Sequence, residues 1–293
     1  MKVDRTPNTE LRTSNDEENS MKTISIIGLG WIGEPLAFYL QEKGMHVIGS
    51  TTSSEKQEKL LKEGLQAIRF SLNPHPEGVG FNAFFQSGIL VVNIPPRTRS
   101  VNGAFHLEQL KYLRSLIDNS PIQKVIFVSS TGVYPEVTSP EKYGEDFPIS
   151  LVNTGNDTIF QAEQLMEKRR KYDLTIIRFG GLMGDARVPG KYFSGRENVA
   201  GHTRVNFIHR KDAVRMLAWV MEKELWNETF NGVAPIHPLR RDIYEKNALD
   251  LGIAPPASYQ NELEGNGRLI DSGKIIKTGF EFDYPDPLGF RYS

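Results

Sequence analysis

The chain has 293 residues, enough to bury a large core in one domain or in a nucleotide-binding domain with a smaller lobe. Its 35 Lys and Arg residues against 36 Asp and Glu give no bulk field that would favour nucleic acid or an anionic membrane. The absence of cysteine excludes disulfides, thiolate metal sites and a cysteine nucleophile. The histidines show no paired spacing with a carboxylate, so we expect no metal site.

The amino-terminal segment differs from the rest of the chain. Residues 1–20 are polar and lack the apolar stretch of a secretory signal, so we expect a disordered tail there. No apolar run approaches the roughly 18 residues that cross a bilayer. We therefore expect a cytoplasmic protein without a membrane or nucleic-acid partner, present as a monomer or a homodimer.

Short apolar runs then alternate with segments of helical spacing. Strands are predicted at 24–27, 45–49, 67–70, 89–92, 125–128 and 174–178, and helices at 34–43, 55–63, 103–118 and 158–171. The strand runs are continuous rather than alternating, which is typical of parallel strands covered by helices on both faces. The pattern predicts an α/β fold with a Rossmann-type doubly wound parallel sheet.

The pattern loosens after residue 180. Residues 181–204 are glycine-rich, and a helix is predicted at 212–224 with Asp212 as its N-cap. We assign residues 21–180, together with 206–232, to the Rossmann domain. Residues 181–205 and 233–293 are assigned to a small C-terminal substrate lobe.

A glycine-rich loop follows the first predicted strand. Gly28, Gly30 and Gly33 are spaced as in dinucleotide-binding loops, with Trp31 and Ile32 before the last glycine. The helix that follows would direct its free amides and positive dipole at phosphate. The loop therefore predicts binding of the pyrophosphate of NAD or NADP; the alternative is a tight turn without a ligand.

Two further segments are candidates for cofactor contact. Thr51, Thr52 and Ser53 stand where an NAD enzyme carries a carboxylate, which slightly favours NADP over NAD; the alternative is a solvated loop that caps the next helix. The segment 93–97 follows the strand at 89–92 and would form one wall of the cofactor site. Asn93, Ile94 and Pro95 are predicted to contact the cofactor, and Arg97 is predicted to contact a phosphate of the substrate. The alternative is a structural turn without a ligand.

Four stretches resemble the extended short-chain dehydrogenase/reductases, the family of NAD-dependent epimerases and dehydratases. They are Gly-Trp-Ile-Gly at 30–33, Ser-Ser-Thr-Gly-Val-Tyr at 129–134, Arg-Phe-Gly-Gly-Leu-Met-Gly at 178–184 and Asn-Phe-Ile-His-Arg-Lys-Asp-Ala at 206–213. The loop begins Ile26-Ile27 rather than Thr-Gly, which is similar to the atypical members. Those members often carry an arginine where this chain has Thr52.

The resemblance implies a catalytic serine but not the rest of the usual machinery. Ser130 occupies the position of the Ser or Thr that binds the substrate oxygen, and Ser129 lies beside the cofactor. The Tyr and Lys of the usual acid/base pair fall on Gly155 and Ile159, which cannot transfer a proton. Tyr134 and Tyr143 are candidate substitutes. The alternative for Tyr134 is a packing role, and the alternative for Tyr143 is a position in a solvated loop.

The second lobe supplies candidate contacts to an anionic substrate. Lys191 and His209 stand among several basic residues, although these side chains would equally suit exposed or structural positions. The resemblance implies an NAD(P)-dependent oxidoreductase or epimerase-like enzyme acting on a small polar or nucleotide-linked substrate. The missing Tyr and Lys leave open a non-catalytic NAD(P)-binding sensor or interaction protein.

Overall fold

The computed structural model describes residues 23–96, 103–137, 142–261 and 267–292. The tail expected at 1–20 and the phosphate contact expected for Arg97 lie outside these ranges. Within them, no helix combines the length and the apolar character that a membrane span requires.

The described strands form one large sheet and one small one. In chain order they are β1 (Thr23–Ile27), β2 (His46–Thr51), β3 (Gln66–Asn73), β4 (His75–Gly78), β5 (Ile89–Val92), β6 (Lys124–Ser130), β7 (Asp173–Phe179), β8 (Gly181–Met183), β9 (Phe207–His209) and β10 (Thr229–Gly232). The large sheet has the order β10-β7-β6-β5-β1-β2-β3-β4, and β8 pairs with β9 separately. All pairs in the large sheet are parallel except β3 with β4. The predicted doubly wound parallel sheet is confirmed.

Helices cover both faces of this sheet. They are α1 (Gly33–Glu42), α2 (Ser54–Lys62), α3 (Gly103–Asp118), α4 (Asp157–Glu167), α5 (Arg210–Glu222), α6 (Arg240–Leu251) and α7 (Gly273–Lys277). Val91 lies in the core with Leu36 of α1 and Leu217 of α5, whereas its neighbour Val92 lies in the core with Leu110 of α3. Because successive strand residues point to opposite faces, both must be apolar, and the run is continuous.

The strand order reverses between β1 and β5. Ile27 at the end of β1 is level with Val92 at the end of β5, and the chain leaves these two strands toward opposite sides. In open α/β sheets such a point leaves a crevice at the carboxyl ends of the strands, where ligands bind. The fold therefore places the glycine loop and the segment after β5 on one crevice.

Several predicted boundaries need correction. The helix predicted at 158–171 ends at Glu167, because Lys168 is extended and Arg169 adopts a positive φ of 52°. The prediction of Asp212 as an N-cap is wrong: α5 begins at Arg210, and His209 Nδ1 accepts a hydrogen bond from the Lys211 amide at 3.2 Å. The stretch 181–204 was expected to be irregular but contains β8 and a 3-10 helix at Pro189–Phe193.

The segments after β7 divide between the sheet and a smaller layer. β10 extends the large sheet beside β7, and α5 packs on its face. The 3-10 helix packs instead on α6, where Phe193 stacks on Tyr244 with ring centroids 4.7 Å apart and Gly190 donates to Asn247 at 3.0 Å. The 3-10 helix and α6 thus form a smaller layer beside the sheet, although Ile275 and Phe280 from the range 233–293 lie in the core of the large sheet. The division into a Rossmann domain and a smaller lobe stays a proposal.

Asp212 joins the carboxyl-terminal segment to α5. Its buried carboxylate accepts hydrogen bonds from the Asp283 and Tyr284 amides at 2.8 and 2.9 Å and pairs with Arg215. Because Asp212→Ala leaves two amides without their acceptor, we expect it to lower the free energy of unfolding by about 3 kcal/mol in urea titrations. Glu222→Ala, which breaks an exposed ion pair with Lys43, should cost less than about 1 kcal/mol, and equal losses would contradict the assignment.

His209 should make stability depend on pH. Burial lowers the pKa of its imidazole to about 4, and its ring packs on Tyr284 and Phe290. The unfolded chain binds this proton near pH 6.5, so the contribution is complete above that pH and is lost as the pH falls toward 4. His209→Asn supplies a capping oxygen in place of Nδ1 and should remove up to about 3 kcal/mol of the fall in unfolding free energy between pH 7 and 4. An unchanged pH profile of urea midpoints would count against this assignment.

Candidate functional site

The glycine loop joins β1 to α1 through two close backbone contacts. Gly28 has a φ of 107°, and a Cβ there would lie 2.3 Å from the Asn93 carbonyl oxygen. A Cβ at Gly33 would lie 2.1 Å from the Gly28 carbonyl oxygen. Gly30, in contrast, has no atom within 4 Å of its added Cβ. Gly28 and Gly33 are thus required by packing, whereas Gly30 faces open space.

Neighbouring strands hold this loop in place. The Gly28 amide donates to Ser50 Oγ at 2.8 Å, the Leu29 amide to the Ser50 carbonyl at 2.7 Å, and Asn93 Nδ2 to the Gly28 carbonyl at 3.0 Å. α1 begins without a side-chain cap. An anion beside Gly30 could therefore be met by first-turn amides and by the helix dipole.

The loop opens into a cavity of about 710 Å³. Its walls are the glycine loop, the ends of β2 and β3, and the segment after β5, with the predicted cofactor contacts Gly28, Gly30, Trp31, Thr51, Thr52, Ser53, Asn93, Ile94 and Pro95 among its lining residues. The fold thus brings together three segments that lie far apart in the sequence. Because the lining runs from β3 across the glycine loop to the segment after β5, the cavity suits an elongated, charged ligand along the sheet edge.

The end of β2 and the two residues after it cap the next helix and also border the larger cavity. Ser53 caps α2 by accepting a hydrogen bond from the Lys56 amide at 3.2 Å, yet Thr51, Thr52 and Ser53 also line the larger cavity. Lys56 lines it too, with its ammonium 2.6 Å from Glu34. A cation for a 2′-phosphate is therefore present, although it is already paired with a carboxylate.

A smaller cavity of about 180 Å³ adjoins the larger one. The two share residues 93–96, and the smaller one extends along the ends of β6 and β7 to α3 and α4. Ile32, Ser129 and Ser130 line it, together with apolar side chains such as Phe127, Phe179 and Leu182. The predicted cofactor loop and the predicted catalytic serine therefore border two adjoining cavities that have the wall 93–96 in common.

Sequence reasoning missed His106, which also lines the smaller cavity. Among the described residues around this cavity, His106 is the one with an acid or base side chain. Its ring is buried, its Nδ1 has no hydrogen-bond partner among the described residues, and burial lowers its pKa although a hydrogen bond with Gln109 acts to raise it. The signal was a histidine in register with Leu110 and Leu113 on the buried face of α3.

The two serines after β6 have different environments. Ser130 Oγ accepts a hydrogen bond from the Gly132 amide at 3.1 Å, which leaves its own O–H to donate. Ser129 Oγ donates to Glu163, whose carboxylate forms a two-pronged pair with Arg178 at 3.1 and 2.8 Å. Ser130 is therefore available to a ligand, whereas Ser129 is tied to a buried ion pair.

Neither candidate tyrosine reaches the crevice in the described structure. The buried Tyr134 hydroxyl accepts from Arg178 and donates to Asn231, both at 2.9 Å, and burial raises its pKa. Tyr143 is also buried, packs on Phe147 and donates to the Val137 carbonyl at 3.3 Å. The prediction that they transfer protons, and the alternative of a solvated loop at Tyr143, are corrected to packing roles.

The position of the usual Tyr is closed to a side chain, whereas the position of the usual Lys carries an apolar one. A Cβ at Gly155 would lie 2.2 Å from the Tyr134 carbonyl oxygen and 3.2 Å from Arg268 Nη1. Ile159, one turn later on α4, lines the smaller cavity with an apolar side chain. The backbone itself has thus closed over the tyrosine position.

The second lobe contributes a different residue from those predicted. Lys191 is exposed in the 3-10 helix and His209 is buried between aromatic rings, and neither appears among the described residues that line the two cavities. Their prediction as substrate contacts is therefore not supported by the geometry. Arg187, which precedes both in sequence, does line the larger cavity.

Comparison with known proteins agrees with this site. Residues 23–101 match the family model described as the NAD binding domain of 6-phosphogluconate dehydrogenase. Protein YeeZ of Escherichia coli K12 is 30% identical over 272 residues, which cover 92% of this chain and 98% of YeeZ. The match to YeeZ therefore includes both the sheet and the smaller lobe.

Solved structures share the whole architecture. A putative NAD-dependent epimerase/dehydratase from Methylobacillus flagellatus has a TM-score of 0.70 at 24% identity, covering 92% of this chain and 96% of its own. UDP-glucose 4-epimerase from Thermus thermophilus, in complex with NAD, has a TM-score of 0.72 at 14% identity, covering 91% and 96%. The chain therefore belongs to the family of protein YeeZ, with the fold of the short-chain dehydrogenase/reductases that its motifs resemble.

Proposed function

We propose that the protein is an NAD(P)-dependent oxidoreductase or epimerase-like enzyme of the atypical short-chain type. The observation that carries the proposal is the pair of adjoining cavities, one bordered by the end of β2 and the glycine loop and the other by Ser130, which share the wall 93–96. Its substrate would be a small polar or nucleotide-linked molecule. The protein from Thermus thermophilus, named for UDP-glucose and bound to NAD, supports this substrate class by its fold.

The residues present fit a dinucleotide. The pyrophosphate would lie against Gly30 and the uncapped start of α1, because this is the open side of the loop. The adenosine end would lie toward Thr51, Thr52 and Ser53, where Lys56 and the lack of a carboxylate directly after β2 favour NADP over NAD. The nicotinamide end would enter the smaller cavity, and the bound cofactor would supply hydride transfer.

Two side chains of the smaller cavity could handle the substrate proton. Ser130 would donate its O–H to the substrate oxygen, as its matched position in the family motif implies. His106 would exchange a proton through Nδ1, directly or through one water, because burial lowers its pKa and keeps the imidazole neutral. This pair would replace the missing Tyr and Lys.

A non-catalytic role is the second candidate. The observation that favours it is Gly155, where the Tyr134 backbone takes the space of the usual acid/base tyrosine. In this role the protein would bind NAD(P) and present a different surface to a partner in each redox state. Binding without turnover of any substrate would favour this role.

The first test concerns the glycine loop. Gly30→Asp has room for its side chain but sets a carboxylate against the pyrophosphate, so we expect at least about a hundredfold loss of NADH and NADPH affinity by calorimetry. The isosteric Gly30→Asn controls for size and should bind more tightly than Gly30→Asp. Wild-type protein that binds neither nucleotide at millimolar concentration would overturn the proposal, and the ratio of the two dissociation constants decides between NAD and NADP.

The second test concerns turnover. NADPH and NADH oxidation, and NADP and NAD reduction, would be followed with a panel of carbonyl compounds, alcohols and UDP-sugars. Ser130→Ala and His106→Gln should each lower kcat by about a hundredfold or more with cofactor affinity unchanged. Ser115→Ala, on the exposed face of α3, should leave kcat unchanged. Full activity in both site variants would exclude this proton pair.

A further inference from the structure

A stack of cationic side chains joins the second lobe to the glycine loop. The Arg187 guanidinium carbon lies 4.3 Å from the centroid of the Trp31 ring, and that of Arg210 lies 4.9 Å from it. Trp31 is part of the glycine loop, whereas both arginines follow β7 in sequence. The Trp31 indole therefore holds the positive charges of both arginines beside the loop through cation–π contacts.

The two arginines are not equivalent. The Arg210 guanidinium already has partners, because its Nε donates to the Trp31 carbonyl at 2.7 Å and its Nη1 pairs with Asp185. Arg187 is exposed, and in the ranges that the structure describes its guanidinium forms no ion pair with a carboxylate. Arg187 thus presents a positive charge that is oriented by Trp31 and that no carboxylate of the described residues neutralises.

The turn that carries Arg187 is fixed at several points. Gly184 and Arg187 exchange backbone hydrogen bonds at 2.9 and 3.2 Å, and the Tyr292 hydroxyl donates to the Arg187 carbonyl at 2.9 Å while accepting from the Gly184 amide at 3.1 Å. Gly184 has a φ of 119°, and a Cβ there would strike His209 at 2.6 Å. The backbone under Arg187 is therefore preorganised, which lowers the entropy cost of using its side chain.

Arg187 lines the larger cavity together with Gly28 and Gly30. A ligand phosphate on the open side of Gly30 would meet amides of the loop on one side and this guanidinium on the other. Guanidinium binds phosphate oxygens through two parallel N–H donors, which a lysine cannot do. The geometry therefore suits a diphosphate, which has oxygens for both groups.

We propose that Arg187 binds the diphosphate of the dinucleotide and thereby completes the cofactor site from the second lobe. This inference rests on the proposed function and names an additional binding residue for it. The same chemistry could serve the diphosphate of a nucleotide-linked substrate. The cofactor is favoured because Arg187 shares its cavity with Gly28 and Gly30 of the glycine loop.

The test measures affinity of the full chain for NADPH, NADH, ADP and adenosine by calorimetry. Arg187→Gln should raise the dissociation constants for the dinucleotides and ADP by about tenfold to a hundredfold. Adenosine, which has no phosphate, should bind equally to both proteins. The affinity of the wild type for ADP should also fall more steeply with KCl than that of the variant. Arg196→Gln, an exposed arginine outside both cavities, is the control and should match the wild type.

Other outcomes separate this inference from the proposed function. Wild-type protein without affinity for NADH or NADPH overturns the proposed function itself. Unchanged dinucleotide and ADP affinity in Arg187→Gln overturns only the role of Arg187. Normal dinucleotide affinity with a loss of UDP binding to the NADPH-loaded protein would assign Arg187 to the substrate diphosphate and overturn the cofactor assignment. Arg187→Lys keeps the positive charge but lacks the two parallel N–H donors, so its dinucleotide affinity should lie between those of the wild type and Arg187→Gln. Urea midpoints check that each variant is folded.

Discussion

The near-contact of two backbones at the ends of β1 and β5 determines the rest of the site. Gly28 lies so close to the Asn93 carbonyl that no other residue fits, and Asn93 returns a hydrogen bond to the Gly28 carbonyl. This contact occurs where the strand order reverses, so the helices that follow the two strands separate on opposite faces. The crevice between them is a geometric result of that separation, and hydrogen bonds to Ser50 and from Asn93 hold its floor in place.

A buried ion pair supports the other end of the crevice. Glu163 and Arg178 join α4 to β7, and they connect Ser129 on one side to Tyr134 on the other. Burial acts to lower the pKa of Arg178, but the Glu163 carboxylate outweighs it and the pKa is raised. The buried pair is joined by two hydrogen bonds and has Ser129 and Tyr134 as further partners, which fixes the strand end that carries Ser130.

The sequence was informative where the physical cause is local. Continuous apolar runs mark buried parallel strands, and Gly28 and Gly33 mark backbone contacts that exclude a side chain, so both could be predicted. The register of His106 with Leu110 and Leu113 could place it on the buried face of α3, but not on a cavity, because that depends on how α3 packs against the sheet. Tyr134 was misassigned for a related reason: its motif is local, but its hydroxyl partners, Arg178 and Asn231, come from distant strands. Residues whose role depends on tertiary neighbours need the fold first.

Gly155 has a consequence for protein engineering. Restoring the usual tyrosine and lysine at 155 and 159 looks like a matter of two substitutions. The tyrosine would, however, overlap the Tyr134 carbonyl, and Arg268 hydrogen-bonds that same carbonyl at 2.6 Å from the far end of the chain. The loop from 131 to 135 and its carboxyl-terminal support would have to move together. Installing the usual acid/base pair would thus require redesign of a backbone segment rather than two substitutions.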